Sequence, residues 1–448
     1  MLIGREAELR FLEHYYTNEN SQILIVYGQK GVGKTTLLKH FAKNKPCSYY
    51  LARSCSAREQ RYQWANELAQ KEIAIKKYPE YGEIFEQIFT DTSSHKPVLI
   101  IDEFHHMIKA DESFMEQLVQ YVKAHPVMIL LCTSASGWVE NSMIPKIGSL
   151  TASLSGLLKV RELKFSDMCQ LFPGFSLTDS IQIFAALGGI TGLWNCFSQK
   201  LTAKENIISN LLFQDSRLYN EMSMYMAEEL REPAVYNTIL AAMAKGLNKL
   251  NDIYAHTGFS RAKISVYLKN LMELDLVEKI FSYESKGYSN TQKGIYRIAN
   301  PYVRFYFRFL FPNQSMLQEM TSEEFYDRVV ADYYPEFVEE TYRKICKEKL
   351  SESYSLIGEW IGKTGAIDIV AEDADKKVLA AVCSYARKIT YADYEWLLFQ
   401  LKQAKLKPDC ICMFCEAGFD EQIIQKAAEG ELVLRQLIAD SDTRGRNT

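Results

Sequence analysis

Apolar and polar positions fall into three regimes along the chain. Up to about residue 200, short unbroken apolar runs alternate with stretches of helical period: ILIVY at 23–27, PCSYYLA at 46–52, PVLIIDE at 97–103 and VMILLCTSA at 127–135. Runs of this length without alternation fit strands covered on both faces, and their alternation with helices predicts a mostly parallel sheet with helices on both faces. From about 201 to 300 the buried strands disappear, and the pattern predicts short helices followed by a hairpin. From about 301 to 440 an aromatic run, PYVRFYFRFLFP, leads into helices and then new strands, IDIVAED, VLAAVCSY and DCICMFCEA. The predicted division is 1–200, 201–300 and 301–440, with a polar, frayed tail at 441–448. There is no internal repeat and no low-complexity tract.

Chemistry enters at YGQKGVGKTT, residues 27–36. Gly28, Gly33, Lys34 and Thr35 satisfy the pattern G-x-x-x-x-G-K-[ST], with an apolar strand before it and a helical pattern after it. Glycines let such a loop curl its backbone N–H groups inward around phosphate oxygens, and the helix starting at Lys34 adds its positive end. The loop, with Gly31, Val32 and Thr36 included, is therefore the expected nucleotide cradle. Lys34 would reach the β- and γ-phosphates of ATP, and the Thr35 hydroxyl would ligate Mg²⁺. The run VLIIDE ends in two acids, and ligands of parallel sheets sit beyond the carboxyl ends of the strands. Asp102 is the expected Mg²⁺ partner, and Glu103 the expected base for the attacking water. Thr133 and Ser134 close the next apolar run, where a hydroxyl could meet the γ-phosphate or the water. His105 and His106 read as a solvated loop or the start of a helix.

Residues 231–299 predict a winged helix-turn-helix. A first helix at about 233–245 stops at Gly246, and a short helix covers about 249–256. A third, capped by Ser260, carries Ile264, Leu268 and Leu271 on one face. VEKIFSYES and KGIYRIA would pair as the hairpin. Arg261, Lys263 and Lys269 lie off the apolar face, the first two near the end of the helix that meets bases in the major groove. Winged helices also serve as lids and protein-binding modules, so duplex DNA and an unknown protein are both candidate partners. The aromatic run holds Arg304 and Arg308, and packs more naturally as a connecting helix than as a base-stacking surface.

The opening LIGREAELRFL, the loop GQKGVGKTTLL, the LIIDEF run and the R-E-P-x-x-Y block at 231 together resemble the archaeal-type P-loop ATPases, a branch of the AAA-like ATPases. The resemblance spans nearly the whole chain. It implies that Ile3, Gly4 and Arg5 lie near the adenine. Two positions depart from the family pattern. Leu157 stands where an arginine is expected after the sensor strand, with Arg161 close by. Gly188, Gly189, Ile190, Thr191 replaces Gly-Gly-x-Pro in the lid. A missing arginine finger removes roughly 10³–10⁵ in rate, so ATP binding with slow hydrolysis is expected. The resemblance further implies a C-terminal domain with a degenerate PD-(D/E)xK nuclease fold. Asp368 occupies the first carboxylate position, and Glu339 or Glu340 an upstream helix. Val382, Cys383 and Ser384 stand where Glu-x-Lys would hold the metal and the water, so no DNA cleavage is expected. Family members also form rings, an inference that Leu157 weakens here.

Composition changes this picture little. The 448 residues suit two or three domains, and a net charge of −4 confines any DNA contact to a local patch. No apolar run approaches the roughly 20 residues of a membrane span, and the N-terminus lacks signal-peptide architecture. Ten scattered cysteines suit a reduced cytoplasmic protein. Cys410, Cys412 and Cys415 are one thiolate short of a tetrahedral zinc site; a buried strand using small apolar residues accounts for them. The sequence reading is an ATP- and Mg²⁺-dependent switch acting on a winged helix. The alternative is an ATP-liganded DNA-binding regulator without significant turnover.

Overall fold

The structure, a computed structural model, describes residues 2–89, 96–221, 232–283 and 294–437. The predicted tail 441–448 and the tip of the predicted hairpin lie outside these. The chain divides into two compact units: residues 1–163 with 190–192 and 273–275, and residues 164–189, 193–272 and 276–448.

The first unit is built on five parallel strands, β1 (Gln22–Tyr27), β2 (Cys47–Leu51), β3 (Val98–Asp102), β4 (Met128–Thr133) and β5 (Gly156–Lys159), in the order β2-β3-β4-β1-β5. Three of the expected runs are the central strands β1, β3 and β4, and all of β3 and β4 is buried, as a strand covered on both faces must be; the run at 46–52 instead forms the edge strand β2, of which only Tyr50 is buried. The order is that of an open doubly wound sheet, whose ligand crevice lies at the carboxyl edge. Register brings three chain segments to that edge. Tyr27, the last residue of β1, pairs with Thr133, the last of β4. β3 ends alongside at Asp102. On one face, Trp64 stacks on Tyr50 with ring centroids 4.2 Å apart, inside a cluster that includes Phe85, Phe104 and Phe114.

The second unit contains the helix Leu177–Leu187, which stops at Gly188 with φ 65°, a left-handed value that favours glycine. The predicted winged helix-turn-helix follows: helices Pro233–Ala244, Leu250–Thr257 and Arg261–Glu273, then the antiparallel pair β6 (Val277–Ile280) and β7 (Ile295–Ile298). The Ser260 hydroxyl caps the third helix by accepting from Lys263 N–H at 3.2 Å. Ile264, Leu268 and Leu271 are fully buried, as the spacing predicts. The aromatic run forms the helix Pro301–Phe305 and a π-helical turn at Tyr306–Leu310. Phe305, Phe307 and Phe309 are core residues. Arg304 pairs with Glu340 at 2.9 Å and donates to the Thr341 hydroxyl at 2.8 Å.

The chain then builds a second five-stranded sheet from β8 (Leu356–Ile361), β9 (Ala366–Glu372), β10 (Val378–Ser384), β11 (Cys410–Cys415) and β12 (Val433–Arg435), ordered β12-β11-β10-β9-β8. The β8–β9 and β9–β10 pairs are antiparallel; β10–β11 and β11–β12 are parallel. The helix Tyr391–Ala404 covers one face through Leu397, Leu401 and Ala404. Among the described residues, no helix is long and apolar enough to cross a membrane.

Candidate functional site

The turn between β1 and the helix Lys34–Ala42 has the backbone its glycines allow. Gly31 and Gly33 sit at φ 85° and 97°, where a side chain would be strained. A Cβ on Gly28 would lie 2.2 Å from the Val160 carbonyl oxygen, so only glycine permits that approach. Gly33 stands at the N-cap of that helix and has no side chain to occupy the first N–H groups. Lys34 folds back across the turn, its Nζ donating to the carbonyls of Gly28 at 2.8 Å and Gln29 at 2.9 Å. Burial lowers its pKa, against the raising influence of Cys132, Glu103 and Asp102. Val32 is buried beneath the loop, while Thr36 faces out.

Thr35 and Asp102 meet: the hydroxyl donates to Oδ2 at 2.8 Å. The same oxygen accepts the Tyr49 hydroxyl at 2.9 Å. A hydroxyl and a carboxylate side by side at the mouth of a phosphate loop are the hard oxygen donors that Mg²⁺ takes, usually alongside substrate phosphates and water. The residues therefore fit that ion.

Glu103 turns through φ 52°, a left-handed value at the strand end, which aims its carboxylate at the tip of β4. There Oε2 accepts from Ser134 N–H at 3.0 Å and from the Thr133 hydroxyl at 3.2 Å, with His105 Nδ1 at 3.3 Å. Burial pushes its pKa up, but the bonds from His105 and Ser134 outweigh it and pull the value down to about 2. Thr133 also lies 2.8 Å from His105 Nδ1. His105 does start a helix, His105–Ala110, but it is only 6% exposed rather than solvated. A ring buried to that degree needs hydrogen-bond partners, and these are its partners. His106 packs against it, and burial together with the His105 ring holds its pKa down to about 4.

Arg5 is buried, and its guanidinium donates to Glu8 at 2.9 Å and to the carbonyls of Val32 and Arg161, both at 2.8 Å. It braces the underside of the loop. Gly4, beside it, has φ 68°. Leu157 lies on β5 opposite Ile25 and is half-exposed. Thr191 and Gly192 touch the loop from the lid segment: the Thr191 hydroxyl and Gly192 N–H both donate to the Gly31 carbonyl, at 3.2 and 3.0 Å.

In the second unit the three cations expected to read DNA share the helix Arg261–Glu273. Arg261 lies over the Tyr254 ring at 4.1 Å and bonds Asn251; Lys263 lies over Phe259; Lys269 is exposed. The second sheet places Asp368 on β9 beside Cys383 on β10. Asp368 accepts from Cys383 N–H at 3.0 Å, and Arg343 Nε lies 3.3 Å from its other oxygen. Glu339 accepts the backbone N–H groups of Tyr385 and Ala386, and Glu340 pairs with Arg304. Neither helix acid joins Asp368.

Sequence reasoning missed Tyr49, the His105–Thr133 contact and Arg343. Tyr49 carried no clear signal, since it is a half-buried residue of the edge strand β2 and only the strand order brings its hydroxyl to Asp102.

Comparison with known proteins agrees with this layout. Residues 2–193 match a sequence-family model described as an ATPase domain predominantly from Archaea. Residues 237–279 match the arsR family of bacterial regulatory proteins, and residues 306–395 match archaeal and bacterial proteins of unknown function. An uncharacterized protein of Methanocaldococcus jannaschii is 28% identical over 394 residues, covering 85% of this chain and 86% of its own. An uncharacterized ATP-binding protein of the same organism is 42% identical over 45 residues, covering 10% of this chain and 76% of its own. Among solved structures, the Walker-type ATPase of Pyrococcus abyssi superposes with a TM-score of 0.51 at 16% identity, covering 68% of this chain and 96% of that one. With the parallel sheet, phosphate loop and winged helix described above, residues 2–193 are similar to that archaeal ATPase domain and share the fold of the Walker-type ATPase, and a winged helix-turn-helix follows them.

Proposed function

We propose that the protein binds ATP with Mg²⁺ and hydrolyses it slowly, as a nucleotide-controlled switch on its winged-helix module. The observation that carries this reading is the meeting of the Thr35 hydroxyl with the Asp102 carboxylate at the mouth of the loop. On binding, Lys34 exchanges its two carbonyl partners for phosphate oxygens, while loop N–H groups take the remaining ones. Thr35 and Asp102 would hold Mg²⁺, and the ion when bound would supply positive charge beside the phosphates. Glu103 orients the attacking water, and Thr133 and Ser134 support that carboxylate. Gly4 and Arg5 bound the loop on the adenine side. Leu157 offers no charge, which is why turnover is slow. Contacts to the γ-phosphate supply the energy that distinguishes the two states of the switch. Equilibrium binding of ATP with and without Mg²⁺ tests the reading. Tight, Mg²⁺-strengthened binding that disappears in Lys34→Ala supports it; equal binding by that variant contradicts it.

The winged helix favours a DNA-directed output, through Arg261, Lys263 and Lys269 on the helix that enters the major groove in such modules. If ATP is only a ligand there, the protein is a DNA-binding regulator rather than a motor. The nuclease-like sheet is proposed to be without cleavage activity. The pairing of the Asp368 carboxylate with the Arg343 guanidinium, at 3.3 Å, supports that reading. The proposed divisions are 1–200 for the ATPase domain with its lid, 201–300 for the winged helix and 301–440 for the nuclease-like domain.

A further inference from the structure

The hydrogen-bond capacity of Thr133 is used up in a way that assigns a role to His105. A threonine hydroxyl donates one proton and accepts at two lone pairs. Among the described residues, three groups surround Thr133 Oγ1: Ala135 N–H at 3.1 Å, His105 Nδ1 at 2.8 Å and Glu103 Oε2 at 3.2 Å. The Ala135 N–H can only donate. The Glu103 carboxylate, already receiving Ser134 N–H, can only accept while ionised. His105 Nδ1 can do either, and its choice decides the direction of the whole chain. If Nδ1 carries a proton, it donates to Thr133 at 2.8 Å in preference to Oε2 of Glu103 at 3.3 Å, and the threonine proton is left for Glu103. If Nδ1 is bare, it takes the threonine proton, and the carboxylate loses a donor.

We propose that His105 is a positioning residue for hydrolysis: its Nδ1–H directs the Thr133 hydroxyl onto Oε2 of Glu103, fixing the carboxylate so that Oε1 is the oxygen presented to water. The proposal rests on the ATPase reading given above. Its geometry is specific. Ser134, Thr133 and His105 all approach the same oxygen, Oε2, and none of these three contacts involves Oε1. The backbone turn at Glu103, φ 52°, brings its side chain to the tip of β4, and these bonds fix which of its oxygens is held. Phosphoryl transfer needs a positioned water more than a strong base, so holding the carboxylate in place is what counts. His105 touches neither nucleotide nor water in this scheme and acts on Glu103 chiefly through Thr133, its own contact with Oε2 being the longer one at 3.3 Å.

Two measurements test it on the full chain. The first is the long-range ¹⁵N–¹H spectrum of ring-labelled histidines, with His105 assigned by its loss in His105→Gln. The expected result is a protonated Nδ1 at His105; a bare Nδ1 overturns the proposal whether or not the protein turns over ATP. The second is the split of kcat and KM. Thr133→Val and His105→Gln are expected to lower kcat roughly 10- to 100-fold with KM for ATP unchanged, as misplacement of a reacting group does. Thr133→Ser, which keeps the hydroxyl, is expected to restore kcat. Thr133→Val at wild-type kcat overturns the proposal, as does a Thr133→Ser variant as slow as Thr133→Val. Wild-type turnover no higher than that of Lys34→Ala would instead reject hydrolysis itself, leaving the ring spectrum to judge the hydrogen-bond chain.

Discussion

The Thr35 hydroxyl donates to Oδ2 of Asp102 at 2.8 Å, across 67 residues of sequence. Two chain segments, the phosphate loop and the end of β3, are thus joined at one point, and the proposed metal site is that point. Replacing Asp102 by Asn keeps the shape and removes the charge. We expect ATP binding by Asp102→Asn to become insensitive to Mg²⁺, because a single neutral hydroxyl holds a divalent ion poorly. Titrating Mg²⁺ against bound nucleotide checks this, and an unchanged Mg²⁺ dependence would exclude Asp102 as a ligand.

Glu103 gives a different signature. Glu103→Gln is isosteric and leaves the loop intact. We expect ATP to remain bound while turnover falls about 10²- to 10⁴-fold, the usual contribution of a positioned acid–base group. Single-turnover hydrolysis separates the two quantities. Turnover at the wild-type rate would remove Glu103 from the mechanism.

The winged helix is tested by charge reversal. Arg261→Glu with Lys263→Glu is expected to weaken duplex binding. The slope of log K against log salt should also flatten, by about 0.9 for each phosphate that is no longer neutralised. A filter-binding or anisotropy series at several salt concentrations reads both. Duplex binding unaffected by the reversal would move the module to a protein-binding role.

Glu359 links stability to pH. It accepts both terminal nitrogens of Arg297, at 2.9 and 3.0 Å, and pairs with Lys347. Burial pushes its pKa up, but Arg297 and Lys347 outweigh that and hold it at about 2, below the ordinary 4.5. A depressed carboxyl contributes stability that is complete above its unfolded pKa and is lost as pH falls through its folded pKa. Unfolding free energy should therefore fall between about pH 5 and pH 2 in the wild type. Glu359→Gln should lose about 1–3 kcal/mol at neutral pH, because half-buried Arg297 is left with the more distant Glu340, at 4.0 Å, in place of its two close bonds, and should flatten that acid limb. Denaturant melts across this range measure both effects.

The legible parts of this molecule are those whose signal is local. The phosphate loop is a short run of consecutive residues whose glycines, lysine and threonine each have one reason to be there. The central strands announce themselves as unbroken apolar runs, and the third helix of the winged module by the spacing of Ile264, Leu268 and Leu271. What was not legible depends on strand order. His105 meets Thr133 because β3 lies next to β4, so the two strand ends stand side by side. Tyr49 reaches Asp102 for the same reason, from β2. Arg343 meets Asp368 only after the helix Tyr334–Leu350 has packed on the second sheet. Sequence distance hides such pairs, and they are where charge and proton placement are decided.

The account stands most directly on steady-state ATP turnover by the full chain, measured with and without Mg²⁺ and against Lys34→Ala. It predicts slow turnover that requires Mg²⁺ and disappears in the variant. Turnover that survives without Mg²⁺, or equally in Lys34→Ala, would contradict it.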